Sequence, residues 1–186
     1  MNNITNTSKV TEIALQAVRR ELPGFVTAPG WCVAFAFEAI ARAYQTNRWL
    51  LYSRILDSVR ADPDRSRWAT AVERAIDRLD WDVTGVDRDP ARAAERAALL
   101  KIIKPGDLLF SSLPYDEAPR SPRTAPDREG HIGIYVGEVD GVPSVAENTR
   151  ADRGRWFVRK TALRLTPLQN WDTVTTVGRI PSRWRP

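Results

Sequence analysis

The sequence predicts an α+β fold in which helices come first and an antiparallel sheet follows. Apolar residues recur at helical spacing through the first part of the chain, whereas short apolar runs bounded by turn residues dominate after Lys104. Asp140 and Gly141 lie between two such runs and predict the tight turn of a β-hairpin. Since helices and strands are largely separated along the chain, we expect the strands to form an antiparallel sheet.

Two helices are predicted at the start of the chain. Apolar spacing predicts the first over residues 11–22, and a strongly apolar pattern predicts the second from Trp31 to about Tyr44. Prolines and glycines between positions 23 and 30 predict a loop that separates them. Cys32 is therefore expected in the first turn of the second helix, where unpaired backbone N–H groups and the helix dipole stabilise an anion.

The middle of the chain carries no pattern that suggests chemistry. Two further helices are predicted between residues 49 and 80, with a turn near Asp62, and a short strand at 81–85 and a helix over 90–100 follow. We interpret the segment at about 48–100 as a helical insertion that supports the core or walls a substrate groove.

The remaining strands follow in order. KPGDLLFSS predicts a short strand, and the hairpin over residues 131–149 supplies two more. A Pro-rich polar loop over residues 111–130 ends directly at His131, and loops of this length inside a compact domain are commonly functional. The last strands are predicted in WFVRKTALRL and TVTTVGRIP.

Length and composition predict one domain over residues 1–186. A chain of 186 residues that is 42% hydrophobic is large enough for a single core. One cysteine and one histidine exclude an intramolecular disulfide and a structural zinc cluster, so no metal and no other cofactor is expected. No apolar stretch approaches the roughly 18 residues of a membrane-spanning helix, so no membrane span is expected.

The charge balance favours polyanionic partners. A formal net charge of +5 attracts polymers such as the anionic components of a cell wall. The arginines, however, are interleaved with aspartates and glutamates as on solvated helix faces, and no basic stripe emerges. We therefore expect no nucleic-acid partner.

The only cysteine and the only histidine of the chain together suggest a cysteine hydrolase. Catalysis by sulfur needs a nucleophile, a base within hydrogen-bond reach and a group that orients the base. Cys32 and His131 are the candidates for the first two roles. The alternative is that Cys32 is an inert core residue, because the residues that follow it are apolar.

The second strand of the hairpin offers the orienting group. Glu147 and Asn148 are neighbours on it, and strand alternation allows only one of them to point easily at His131. We favour Glu147 because a carboxylate also stabilises an imidazolium, and Asn148 is the second candidate. The alternative is that both are turn or edge residues.

These segments resemble the papain-like cell-wall hydrolases of the NlpC and CHAP groups. The resemblance rests on Cys32 at a helix start, on GDLLF, and on HIGIYVGEVDGVPSVAENT, which is similar to the catalytic hairpin of those families. It implies a papain-like fold and cleavage of a peptidoglycan amide bond, with Cys32, His131 and either Glu147 or Asn148 as catalytic residues. An endopeptidase or an amidase would fit, acting as a phage-type lysin or an exported antimicrobial toxin. NlpC and CHAP both remain open.

The N-terminal sequence lacks the basic start, apolar core and cleavage site of a secretory signal. We expect synthesis in the cytoplasm and action on the cell wall after release or export. Two alternatives to the wall hydrolase remain. One is an intracellular thiol amidase or peptidase with a non-wall substrate, and the other is a non-catalytic basic binding module.

Overall fold

The computed structural model describes residues 6–25, 32–62, 68–86, 93–111, 130–150, 161–171, 174–182 and 184. Its helices are α1 (Asn6–Val18), α2 (Cys32–Ala43), α3 (Arg48–Ala61), α4 (Trp68–Ala75) and α5 (Ala93–Ile102), with short 3-10 helices at Ile76–Leu79 and Leu168–Asn170. Its strands are β1 (Asp82–Gly85), β2 (Leu108–Ser111), β3 (His131–Val139), β4 (Val142–Arg150), β5 (Thr161–Pro167) and β6 (Val174–Arg179).

The described strands form one six-stranded antiparallel sheet in the order β1-β6-β2-β3-β4-β5. This sheet, together with the helices that precede most of it, confirms the predicted α+β class. Asp140 and Gly141 join β3 to β4 with φ angles of 52° and 77°. Positive φ at both central residues is what a type I′ hairpin turn requires, so the predicted turn is confirmed.

The first helix is displaced from its predicted position. It covers Asn6–Val18 rather than residues 11–22. Two backbone hydrogen bonds end the helix: Glu21 N–H donates to the carbonyl oxygen of Gln16, and Arg20 N–H donates to that of Ala17. The φ angle of Arg20 is 62°. This is a Schellman ending in which an arginine occupies the left-handed position that glycine normally marks. The sequence therefore carried no stop signal at that point.

Helix α2 is the centre of the main core. Ten of its twelve residues are buried, and it packs against β3, β4, α1 and α3. The same cluster includes apolar side chains from α3, from α4 and from the 3-10 helix that follows α4. Among them are Leu51, Ile55, Val72 and Ile76. Strand β1 adds an edge to the sheet by pairing with β6. The segment interpreted as a helical insertion thus shares both the core and the sheet with the rest of the fold.

A second, smaller cluster covers the other face of the sheet. Its buried members include Leu109, Val145, Trp171 and Val177. Trp171 lies so close to Gly133 of β3 that a Cβ there would come within 2.7 Å of the indole and 2.5 Å of Val145. Gly133 therefore allows the indole to rest directly on the strand.

Parts of the predicted pattern lie outside the described residues. The Pro-rich loop is described only at its ends, Ser111 and Gly130, and the first half of WFVRKTALRL is not described. No helix in the described part of the chain combines the length and the apolar character that crossing a membrane requires.

The close approach of Trp171 predicts that Gly133→Ala destabilises the fold by about 1–3 kcal/mol, because the new methyl group overpacks the site. Chemical denaturation measures this change in the free energy of unfolding. The matched control is Gly85→Ala on the exposed edge strand, where the nearest atom to the new Cβ lies at 3.4 Å. We expect that control to stay within about 0.5 kcal/mol of the parent. Equal effects of both substitutions would contradict the prediction.

Candidate active site

Cys32 is the first residue of α2, in the first turn of the helix that the sequence predicted from Trp31. It is 7% exposed and belongs to the main core cluster. The burial of the residues that follow it, from Val33 to Phe37, holds this end of the helix against the sheet. The sulfur is thus carried by a rigid element at a helix N-terminus, where backbone N–H groups lack intrahelical partners.

His131 is the first residue of β3, and the structure brings it to Cys32. Cys32 is one of the groups that raise the pKa of His131, which puts the thiol within interaction range of the imidazole. The imidazole keeps 26% of its surface exposed, in contrast to the buried thiol. From the sequence, we expected the start of a helix and a hairpin strand to bring the sulfur and the imidazole together. This proximity agrees with that expectation.

Glu147 lies on β4, diagonally across from His131. In the β3–β4 register Glu147 faces Gly133, two residues beyond His131, and diagonal neighbours on one face are within reach of long side chains. The Nε2 of His131 lies 2.6 Å from Oε2 of Glu147. Because an ionised carboxylate only accepts hydrogen bonds, Nε2 donates to it, which leaves Nδ1 as the ring nitrogen for the sulfur.

Strand β5 holds the other oxygen of Glu147. Oε1 accepts hydrogen bonds from Nε of Arg164 at 2.6 Å and from the hydroxyl of Thr166 at 2.5 Å. Arg164 is the register partner of Glu147, and Thr166 follows two residues later on the same face. Sequence reasoning missed both residues. Their alternation on a predicted strand was visible, but the pairing of that strand with β4 was not.

Asn148 is placed differently from Glu147. It is fully buried and is paired in register with Leu163, and strand alternation directs it to the opposite face of β4. Of the two candidates, the structure therefore brings Glu147 to the imidazole and does not bring Asn148 there. Since β4 lies between β3 and β5, the alternative that both are turn or edge residues is wrong.

The two charged partners shift each other's pKa in opposite directions. Burial alone would raise the pKa of Glu147, but the hydrogen bond and charge of His131, with Thr166 and Arg164, lower it to about 2. Burial alone would lower the pKa of His131, but its bonds to Cys32 and Glu147 raise it to about 10.

These shifts define the pH range in which the pair stabilises the fold. The stabilisation from His131 is complete below its ordinary pKa of 6.5 and is lost as pH rises through about 10. The stabilisation from Glu147 is complete above its ordinary pKa of 4.5 and is lost as pH falls through about 2. At neutral pH the structure therefore favours an imidazolium beside a carboxylate.

Trp171 covers the imidazole. Its ring stacks on His131 with 5.4 Å between centroids and 25° between planes, and the residue is 4% exposed. The absence of a side chain at Gly133 admits the indole to this position. Stacking on an aromatic face also stabilises a cationic imidazolium. Nothing in the sequence pattern around Trp171 distinguished it from an ordinary core residue.

Tyr52 of α3 is within electrostatic range of Cys32. Burial raises the pKa of its phenol to about 12; the charge of Arg48 opposes this shift, whereas Cys32 and Glu38 add to it. The phenol is thus within electrostatic range of the sulfur and of two charged side chains on α2 and α3. We expected no chemistry from the middle segment, so this neighbour of Cys32 was also missed.

Among the described residues, no group of three or more His, Cys, Asp and Glu side chains could hold a metal ion. The chain matches no family model, and no curated protein or solved structure shows a significant match to it. The interpretation of the site therefore rests on its residues and their geometry.

The raised pKa of His131 can be measured directly because the chain contains one histidine. We expect its imidazole resonance to titrate above about pH 8, well beyond an unperturbed histidine. Glu147→Gln should lower this pKa because the neutral amide no longer stabilises the imidazolium. NMR titration of the ring proton follows both proteins.

Thr166→Val serves as the control for this titration, because it removes a neighbour of Glu147 and keeps the carboxylate. Its His131 should still titrate above about pH 8. An ordinary histidine titration in the parent protein would contradict the charged pair.

Proposed function

We propose that this protein is a papain-like cysteine hydrolase that cleaves an amide bond of peptidoglycan, as an endopeptidase or an amidase. The observation that carries the catalytic part is the bond of 2.6 Å between Nε2 of His131 and Glu147, in an imidazole that is also within interaction range of Cys32. This arrangement supports the proposal, because thiol catalysis requires a nucleophile, a base and a group that orients the base.

The first half of the reaction forms a thioester. The sulfur of Cys32 attacks the amide carbonyl, and the tetrahedral intermediate collapses when the imidazolium of His131 gives its Nδ1 proton to the leaving amine. The amine departs, and the acyl group remains on the sulfur. Glu147 keeps the ring oriented and stays ionised throughout, since its pKa is held at about 2.

The second half regenerates the enzyme. Neutral His131 accepts a proton from a water molecule as that water attacks the thioester carbonyl, and the sulfur leaves with the electron pair of the broken C–S bond. In both halves, backbone N–H groups in the first turn of α2, including that of Cys32, stabilise the oxyanion.

The choice of peptidoglycan rests on the resemblance of the Cys32 helix start and the catalytic hairpin to the NlpC and CHAP groups. A net charge of +5 supports it, because a cationic protein is attracted to anionic wall polymers. On this proposal the protein acts on the wall after release or export, as a lysin or an antimicrobial toxin.

Purified sacculi test the function. The parent protein should release soluble muropeptides with newly formed amine and carboxyl ends, detected by mass spectrometry. Cys32→Ala and His131→Ala should each reduce the rate at least about a thousandfold, because removing either partner disables the pair. Glu138→Gln, an exposed acidic position on β3, should leave the rate unchanged.

Undiminished release by Cys32→Ala would reject the mechanism. Cleavage of general peptide substrates without cleavage of sacculi would keep the mechanism and favour the intracellular amidase instead. Salt-sensitive wall binding that survives loss of Cys32, with no product at all, would favour a binding module.

The pH dependence of kcat/KM provides a second prediction. Activity should fall as pH rises through about 10, because deprotonation of His131 removes the proton donor for the leaving amine. Glu147→Gln should move this alkaline limb to lower pH, since the His131 pKa falls with the lost carboxylate. Steady-state kinetics across the pH range measure the limb, and an unmoved limb would contradict the assignment of the donor.

A further inference from the structure

A cavity of about 360 Å³ lies where the second half of α2 meets the start of α3. Its lining includes Glu38 and Arg42 from α2, and Asn47, Arg48 and Trp49 from the beginning of α3. Its volume lies within the range of small-molecule sites, and most of the side chains that line it are polar. The mechanism proposed above uses none of these residues.

The charged groups of the cavity form one network. Glu38 accepts from Nε of Arg42 at 2.8 Å with one oxygen and from Nη1 of Arg48 at 3.2 Å with the other. Its side chain is 17% exposed, so the carboxylate still reaches solvent. A ligand in the cavity therefore meets hydrogen-bond donors and an ionised acceptor side by side.

Trp49 supplies an exposed aromatic wall. It is 64% exposed, the largest exposed fraction among the exposed large apolar side chains described. The guanidinium of Arg48 lies 5.4 Å from its ring centroid, and the Tyr52 ring lies at 5.5 Å. Asn47 fixes this turn, because its side chain accepts a hydrogen bond from the backbone N–H of Trp49. The indole is thus held in place, although much of its surface faces solvent.

This combination suits a sugar better than an anion. An anionic ligand would compete with Glu38 for the two guanidinium groups and would be repelled by its carboxylate. Neighbouring hydroxyls of a pyranose can donate to the carboxylate and accept from the guanidinium groups, while the apolar face of the ring stacks on the indole.

The cavity and the candidate active site share helix α2. Glu38 is six residues beyond Cys32 on α2, which corresponds to about 9 Å along the helix axis. Tyr52, whose ring lies 5.5 Å from that of Trp49, is also within electrostatic range of Cys32.

We propose that the cavity between α2 and α3 is a subsite for the glycan strand of the substrate, in which a pyranose ring stacks on Trp49 and hydrogen-bonds to Glu38, Arg42 and Arg48. This proposal rests on the proposed function, because it assigns the sugar to this cavity while the peptide branch reaches Cys32. It makes the enzyme selective for amide bonds that are still attached to glycan.

Binding of N-acetylglucosamine oligosaccharides tests the subsite independently of catalysis. Isothermal titration calorimetry on the Cys32→Ala protein should detect the sugar, and Trp49→Ala in that background should weaken binding at least about tenfold. Leu50→Ala is the matched control, because its side chain is the exposed neighbour of Trp49 and is 53% exposed. It should leave the affinity unchanged.

Glu38→Gln provides a second variant at a different wall of the cavity, and it should also weaken sugar binding. Absence of sugar binding by the Cys32→Ala protein, or equal affinity in the Trp49→Ala variant, would overturn the subsite. Binding of inorganic phosphate in place of the sugar would overturn it as well.

A kinetic experiment separates failure of the subsite from failure of the proposed function. Trp49→Ala should raise KM for glycan-linked muropeptides and leave cleavage of the same peptides without sugar unchanged. Cleavage with no preference between these substrates would reject the subsite and keep the amidase. Sugar binding with no amide cleavage by the parent protein would reject the amidase and keep the cavity.

Discussion

The buried carboxylate of Glu147 is the group on which the rest of the site depends. Burying such a charge costs several kcal/mol unless its partners compensate it. Here they come from both neighbouring strands, His131 on β3 and the pair Arg164 and Thr166 on β5. The position of the imidazole is thus a consequence of strand register. A one-residue slip of β4 would turn Glu147 into the helical core and bring Asn148 to its place.

Helix α2 connects this polar network to the apolar core. The burial that fixes the helix against β3 and β4 also fixes the position of Cys32 at its first residue. The apolar run after Cys32 is therefore compatible with both interpretations of the cysteine, an inert core residue or a nucleophile on a rigid support. Burial does not distinguish them, since the residue is 7% exposed in either case. The proposed nucleophile requires a base nearby, and His131 is within interaction range of Cys32.

The elements of the site that the sequence predicted depend on local patterns and on one hairpin. Cys32 followed from helix periodicity after a loop, and the candidates Glu147 and Asn148 followed from sequential strands joined by a recognisable turn at Asp140 and Gly141. The preference for Glu147 followed from the charge of its carboxylate. The residues that were missed depend on contacts between distant segments. Arg164 required the pairing of β4 with β5, and Trp171 required knowledge that Gly133 leaves space on β3. The papain-like architecture remains a prediction, since local patterns fix strands and helices but not their family.

In the proposed function, the middle segment contributes a subsite although it carries no motif. Its helices bury Leu51 and Ile55 in the main core, so their packing fixes α3 beside α2. That packing places Arg48 and Trp49, in the first turn of α3, along the cavity beside Glu38 and Arg42 of α2. The spacing between the proposed sugar and peptide sites is then set by two packed helices rather than by loops. A rigid spacing of this kind limits the substrates that can occupy both regions at once. Because the spacing arises from tertiary packing, no local sequence signal encodes it.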